Sequence, residues 1–176
     1  MLKVYFKQLR FLWTRPAEFY SQVVLQAQEK DYSRFSVLTA LLCAVEWGLV
    51  EILSDHSFMT VVLFTALMLL VMPFVVTVWI YLWSGFVKLC ASLLGENLPL
   101  EPLRRVVAYS AAGWVALGLG FGLGKWVALA TLLFQVIGVE KALRCSRWTA
   151  VVYVGLPFSM VAVLGGFFAF MFKVFK

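Results

Sequence analysis

The chain is short of the residues on which most enzyme chemistry depends. It has a single histidine, His56, and three cysteines, Cys43, Cys90 and Cys145, in 176 residues. No histidines and cysteines stand at the spacing of a metal site, and three scattered thiols cannot build a disulfide scaffold. Carboxylates number only nine, and no nucleophile, base and orienting acid recur together. No enzymatic activity, no cofactor and no metal are expected. Charged residues make up 14% of the chain, against about a quarter in an ordinary soluble domain. So few charges cannot cover a water-facing surface, and a disordered chain needs the opposite composition.

What fills the chain instead is apolar: 63% of its residues, with a mean hydropathy of +0.93. A bilayer core about 30 Å thick takes about 20 largely apolar residues per helix. Five such runs follow one another, at 35–54, 58–83, 103–123, 126–143 and 148–172. They are continuously apolar, without the alternation of barrel strands, so each satisfies its backbone groups as a helix. The expected fold is all-α: a polytopic membrane bundle of five transmembrane helices over 35–176, preceded by a cytoplasmic, interfacial amphipathic region at 1–34.

Lys and Arg accumulate in cytoplasmic loops, and their distribution sets the orientation. Lys3, Lys7, Arg10, Arg15, Lys30, Arg34, Lys88, Arg104, Arg105, Lys141, Arg144 and Arg147 fall on one side, against Lys125, Lys173 and Lys176 on the other. The N-terminus is therefore expected in the cytoplasm and the C-terminus outside. On this reading the net charge of +6 is a topology signal and not a nucleic-acid surface. Leu9 to Trp13 is too short an apolar core for a cleavable signal peptide, and no small-residue cleavage site follows it.

In Met1 to Trp13, Lys3, Lys7 and Arg10 recur at helical spacing, with Leu2, Phe6, Leu9 and Trp13 on the opposing side. This pattern suits a helix lying in the membrane interface. Its cations would meet anionic headgroups at about 1 kcal/mol each, joined by Arg104 and Arg105 at the entry to the third span. The same pattern suits a topology anchor docked on the bundle. Thr14 and Pro16 are expected to cap and start a second short helix, from about 17 to 29, carrying Phe19, Tyr20, Val23 and Val24 along the membrane. Gly95 should end the helix that leaves the second span, and Pro99 and Pro102 should hold the next loop out of helical conformation.

Within the apolar runs, Glu46 is the carboxylate nearest mid-bilayer, where a charge costs at least about 2.5–3.5 kcal/mol. Counted from the cytoplasmic ends, it lies level with Thr65, Gln135 and Ser159. Such a polar layer serves either as interhelical glue or as a proton or cation site in a small carrier. Gly118, Gly120, Gly122 and Gly124 contain overlapping G-x-x-x-G pairs, the signature of close helix approach. The docking helix could belong to this chain or to a second copy of it.

Four stretches share their order with one family: Trp13-x-x-Pro16-x-x-Phe19-Tyr20 before the first span, Leu93-Leu94-Gly95 after the second, Arg104-Arg105-Val106-Val107-Ala108-Tyr109 entering the third, and Gly138-Val139-Glu140-Lys141-Ala142-Leu143 leaving the fourth. In these the chain resembles the Yip1 family of integral membrane proteins. The resemblance implies five membrane helices, a cytosolic N-terminus and no enzymatic activity. Eukaryotic members look like trafficking factors for prenylated Rab GTPases, but this chain lacks their long acidic N-terminal region. Ser110 to Gly113 also follow Tyr109 where a proline is common. It is similar instead to bacterial-type members, which implies the inner membrane. The expected role is membrane organisation, or adaptation of lipids with anionic headgroups, a membrane-protein partner or a second copy. The alternative is a small transporter or channel subunit built on the Glu46 layer.

Overall fold

The computed structural model describes residues 2–52, 57–114 and 124–174, and every regular element among them is helical. Helix α1 spans Leu2–Thr14. Helix α2, Pro16–Phe19, runs on into a π-helical turn at Tyr20–Val24. Three long elements follow: α3 at Glu29–Ile52, α4 at Phe58–Leu93, and α5 at Leu100–Ser110, the last tightening into a 3-10 turn at Ala111–Trp114. Helices α6 (Gly124–Leu143) and α7 (Arg147–Val174) complete the chain.

The ends of these helices follow local chemistry. Ser57 caps α4 by accepting from the Thr60 amide at 3.3 Å, and Ser146 caps α7 by accepting from the Thr149 amide at 3.1 Å. Helix α4 stops at Gly95, whose φ of +85° suits glycine. The Glu96 amide reaches back to the Ala91 carbonyl and the Gly95 amide to that of Ser92, both at 3.0 Å. This crossed pair is a Schellman closure, which occupies carbonyls the helix would otherwise leave orphaned. At the start of α3, an Asp31 carboxylate oxygen accepts from the Gln28 amide at 3.1 Å. That cap starts the helix at Glu29, so a division of the chain at 34/35 falls inside α3.

Two local expectations are corrected. Thr14 does not cap α2, because its hydroxyl donates back to the Arg10 carbonyl at 2.8 Å. Pro102 does not break the loop but sits in the first turn of α5, where its missing amide costs no intrahelical bond.

Helix α4 is the one described helix both long and apolar enough to cross a membrane by length and composition. Its 36 residues extend about 54 Å at 1.5 Å each, well beyond a 30 Å hydrocarbon core. Only 11% of its most apolar stretch is buried. Phe58, Leu70 and Phe74 are 83%, 78% and 71% exposed. The most extensive helix pairing joins α3 to α4. The hydrophobic core joins α2, the π-helical turn, α3 and α5 through Phe19, Tyr20, Phe35 and Tyr109, and takes in Val76, Ile80, Trp83 and Val87 from the second half of α4.

Candidate membrane-interface site

The N-terminal segment does not lie loosely along a surface. Tyr5 and Leu12, seven residues and thus two turns apart, anchor α1 to the bundle and are buried. Tyr5 packs on Phe35 with ring centroids 4.9 Å apart, Phe35 on Tyr109 at 4.7 Å, and Tyr109 on Phe19 at 5.2 Å. A continuous chain of aromatic rings thus ties α1, α2, α3 and α5 together. The Tyr5 hydroxyl lies 3.0 Å from Thr39 Oγ1, which itself donates to the Phe35 carbonyl at 2.9 Å. The threonine proton is therefore committed and Tyr5 is the donor. Burial pushes the Tyr5 phenol up to about 12, so it keeps that proton across the physiological range.

Docking leaves α1 with two further faces. Leu2, Phe6 and Trp13 are exposed in one strip, and Lys3, Lys7 and Arg10 are exposed in a second strip about 90° around the helix. An apolar strip beside a cationic one is the geometry of a helix lying at a lipid interface. Trp13 also meets Phe134 of α6 edge to face at 5.0 Å. Anchor and interfacial helix are thus compatible roles for different faces of the same 13 residues.

The short segment after Pro16 departs from the expectation of a helix running along the membrane. Phe19, Tyr20 and Val24 are fully buried. The wide π-helical turn rotates the chain so that all three face inward. Tyr20 packs where α5 meets α6. A Cβ added at Gly138 would stand 2.6 Å from Val106 Cγ1 and 2.8 Å from Tyr20 Cε1.

Between α1 and the start of α3 lies an open groove of about 320 Å³, lined by Val4, Tyr5 and Gln8 on one wall and Asp31, Arg34, Phe35 and Leu38 on the other. The second set has the i, i+3, i+4, i+7 spacing of a single helix face. The groove is polar at the Asp31 and Arg34 end and apolar a turn or two further along α3. No ion pair joins Asp31 or Arg34 to another described residue.

Arg104 and Arg105, expected at headgroups, are engaged within the fold. The Arg104 guanidinium stacks 4.6 Å over the Tyr81 ring, and Tyr81 donates to Glu29 at 3.2 Å. Arg105 donates to the Leu25 carbonyl at 3.0 Å and pairs with Glu101 at 3.4 Å. Arg104 is thus held by a stacking contact, and Arg105 ties the first turns of α5 to the segment before α3.

The expected polar layer is distributed over separate contacts. Gln135 is 2% exposed and accepts from the Trp83 indole N–H at 2.8 Å. Thr65 faces Gly48, where an added Cβ would stand 2.9 Å from the threonine Cγ2. Ser159 is exposed and turns back to its own helix, donating to the Leu156 carbonyl at 2.8 Å. Glu46 is half-buried on the face of α3 that also carries Thr39, two turns away. Gly118, Gly120 and Gly122 lie outside the described residues, and Gly124 opens α6.

The close helix approaches that are described use other glycines. Gly113 faces the Thr131 backbone, 3.1 Å from an added Cβ, and Gly48 and Gly138 make the contacts given above. A signal for one of them was present: Ser36, Ala40, Ala44 and Gly48 recur every four residues along α3, and all are buried. This is the small-xxx-small pattern of packed membrane helices. At the α6–α7 corner, Glu140 pairs with Lys141 and Arg147, both at 2.9 Å, and pins the turn in which Arg144 takes a φ of +52°.

No protein-family model matches the chain, and no curated protein or solved structure matches it either.

Proposed function

We propose that this chain is an integral membrane protein of five spans, a Yip1-like member of bacterial type, with its N-terminus in the cytoplasm. It organises membrane, or adapts lipids and membrane-protein partners, without catalysis. The observation that carries the reading is the bare apolar wall of α4. A soluble protein buries such a helix in its core, whereas this one is 11% buried along its most apolar stretch. At about 25 cal/mol for each Å² of apolar surface, leaving that wall in water forgoes stabilisation that burial would supply. Hydrocarbon is the solvent that accommodates it.

Two arrangements support the rest. Three of the four stretches that carry the family resemblance meet in space: Phe19 packs on Tyr109, and Gly138 admits Tyr20 and Val106. Lys3, Lys7 and Arg10 stand exposed beside an apolar strip on α1, as contact with anionic headgroups requires. A carrier built on Glu46 would need a polar route to that carboxylate. The groove beside α1 reaches Leu38, eight residues and about 12 Å of helix short of Glu46.

The test is topology. Single cysteines placed at Glu18 and Lys176, with the three native cysteines replaced, are probed with a membrane-impermeant maleimide in spheroplasts and in inverted vesicles. Glu18→Cys should label only from the cytoplasmic side and Lys176→Cys only from the outside. Both positions labelling from one side would overturn the five-span reading.

A further inference from the structure

The groove between α1 and α3 holds one carboxylate and one guanidinium, and neither is paired with another described side chain. Asp31 uses one carboxylate oxygen on the Gln28 amide, which leaves the other oxygen for a second donor. Arg34 is exposed, with its whole fork of donors available. A neutral pair of opposite charges a turn apart complements a zwitterion better than an anion. The groove also has a direction. Seven residues separate Asp31 from Leu38, about 10 Å of helix rise, and along that distance the lining passes from charged to apolar. Val4, Phe35 and Leu38 supply its apolar lining, and the Tyr5 ring, also in the lining, packs on Phe35.

We propose that this groove is a binding site for a phospholipid whose headgroup carries both a phosphate and a primary ammonium, the phosphatidylethanolamine type. Arg34 takes the phosphate through paired N–H donors, and Asp31 accepts from the ammonium. Gln8 supplies a further polar group at the rim, and the glycerol and first acyl carbons lie along Phe35, Leu38 and Val4. A primary ammonium is selected over a choline because a quaternary nitrogen has no proton for Asp31 to accept. An anionic glycerol headgroup leaves the Asp31 charge uncompensated. The site rests on the membrane reading above, since it places the cytoplasmic end of α3 at headgroup level.

The experiment is lipid binding to the full chain by native mass spectrometry from micelles. The protein is offered equal amounts of phosphatidylethanolamine, phosphatidylcholine and phosphatidylglycerol of identical acyl composition. The wild type should retain the ethanolamine lipid most. Asp31→Asn preserves an acceptor for the Gln28 amide, so the helix start survives while the charge is lost. Losing one charge-assisted hydrogen bond to the ammonium should lower the ethanolamine-over-choline preference about tenfold or more. Arg34→Gln, at an exposed position, should weaken binding of all three lipids, with helicity by circular dichroism unchanged. Equal retention of the ethanolamine and choline lipids by the wild type would overturn the proposal, as would an Asp31→Asn preference equal to that of the wild type. The membrane reading fails differently: a chain stripped from membranes by alkaline carbonate is not integral, whatever lipid it binds. A carbonate-resistant chain with no headgroup preference refutes only the groove.

Discussion

The contact between Trp83 and Gln135 offers the sharpest test of how polar groups hold this bundle. An indole N–H can only donate, so the amide oxygen of Gln135 has to face it. Both side chains are buried, at 4% and 2% exposure, and the bond is 2.8 Å long. It links α4 to α6, a pair not among the main helix contacts. Replacing Gln135 with Met keeps the length of the side chain and removes the acceptor, leaving the indole proton buried without a partner. In a soluble core that loss costs about 1–3 kcal/mol. Between membrane helices, measured pair energies average about 0.6 and reach about 1.7 kcal/mol, because the unfolded segments find other partners. Trp83→Phe also loses the stacking on Trp79, whose ring lies 4.8 Å away at 15°. That loss is common to both backgrounds and cancels in a double-mutant cycle. Unfolding the four proteins by SDS titration in mixed micelles, followed by far-ultraviolet circular dichroism, should give a coupling of about 0.6–1.7 kcal/mol, with the double variant more stable than the sum of the singles. Additivity within about 0.3 kcal/mol would refute the bond as a stabilising element.

Two further outcomes follow from backbone geometry. Gly138→Ala should destabilise the fold by about 1–3 kcal/mol, because the new methyl meets Val106 and Tyr20 where Tyr20 is fully buried. Adding Val106→Ala should recover part of that loss in the same SDS titration, whereas no recovery would place the strain elsewhere. Gly95→Ala forces an L-residue to a φ of +85° and should cost about 1–2 kcal/mol; an unchanged midpoint would show that the Schellman closure of α4 does not hold in solution.

Local chemistry determined the class of the fold and several helix ends. Continuous apolarity requires helices, because a backbone in such a run has no other way to satisfy its own amides. Glycine at 95 allowed a left-handed residue where α4 ends, and the small-residue stripe from Ser36 to Gly48 marks a face that can be approached closely. These features depend on residues within a few positions of one another, so spacing alone carries them. Tertiary structure decided which faces meet. Arg104 and Arg105 read as free cations until the Tyr81 ring, 23 positions away, stacks beneath the first and the Leu25 carbonyl, 80 positions away, accepts from the second. Gln135 read as one member of a layer around Glu46, yet its acceptor goes to an indole 52 residues away. Phe19 and Tyr20 read as membrane-facing because their apolarity suits lipid and core equally. Only the π-helical turn and the close pass at Gly138 send them inward. Hydropathy measures how a side chain ranks solvents, and in a bilayer lipid and protein interior rank alike. Packing, hydrogen-bond direction and the room a glycine leaves make the remaining choices.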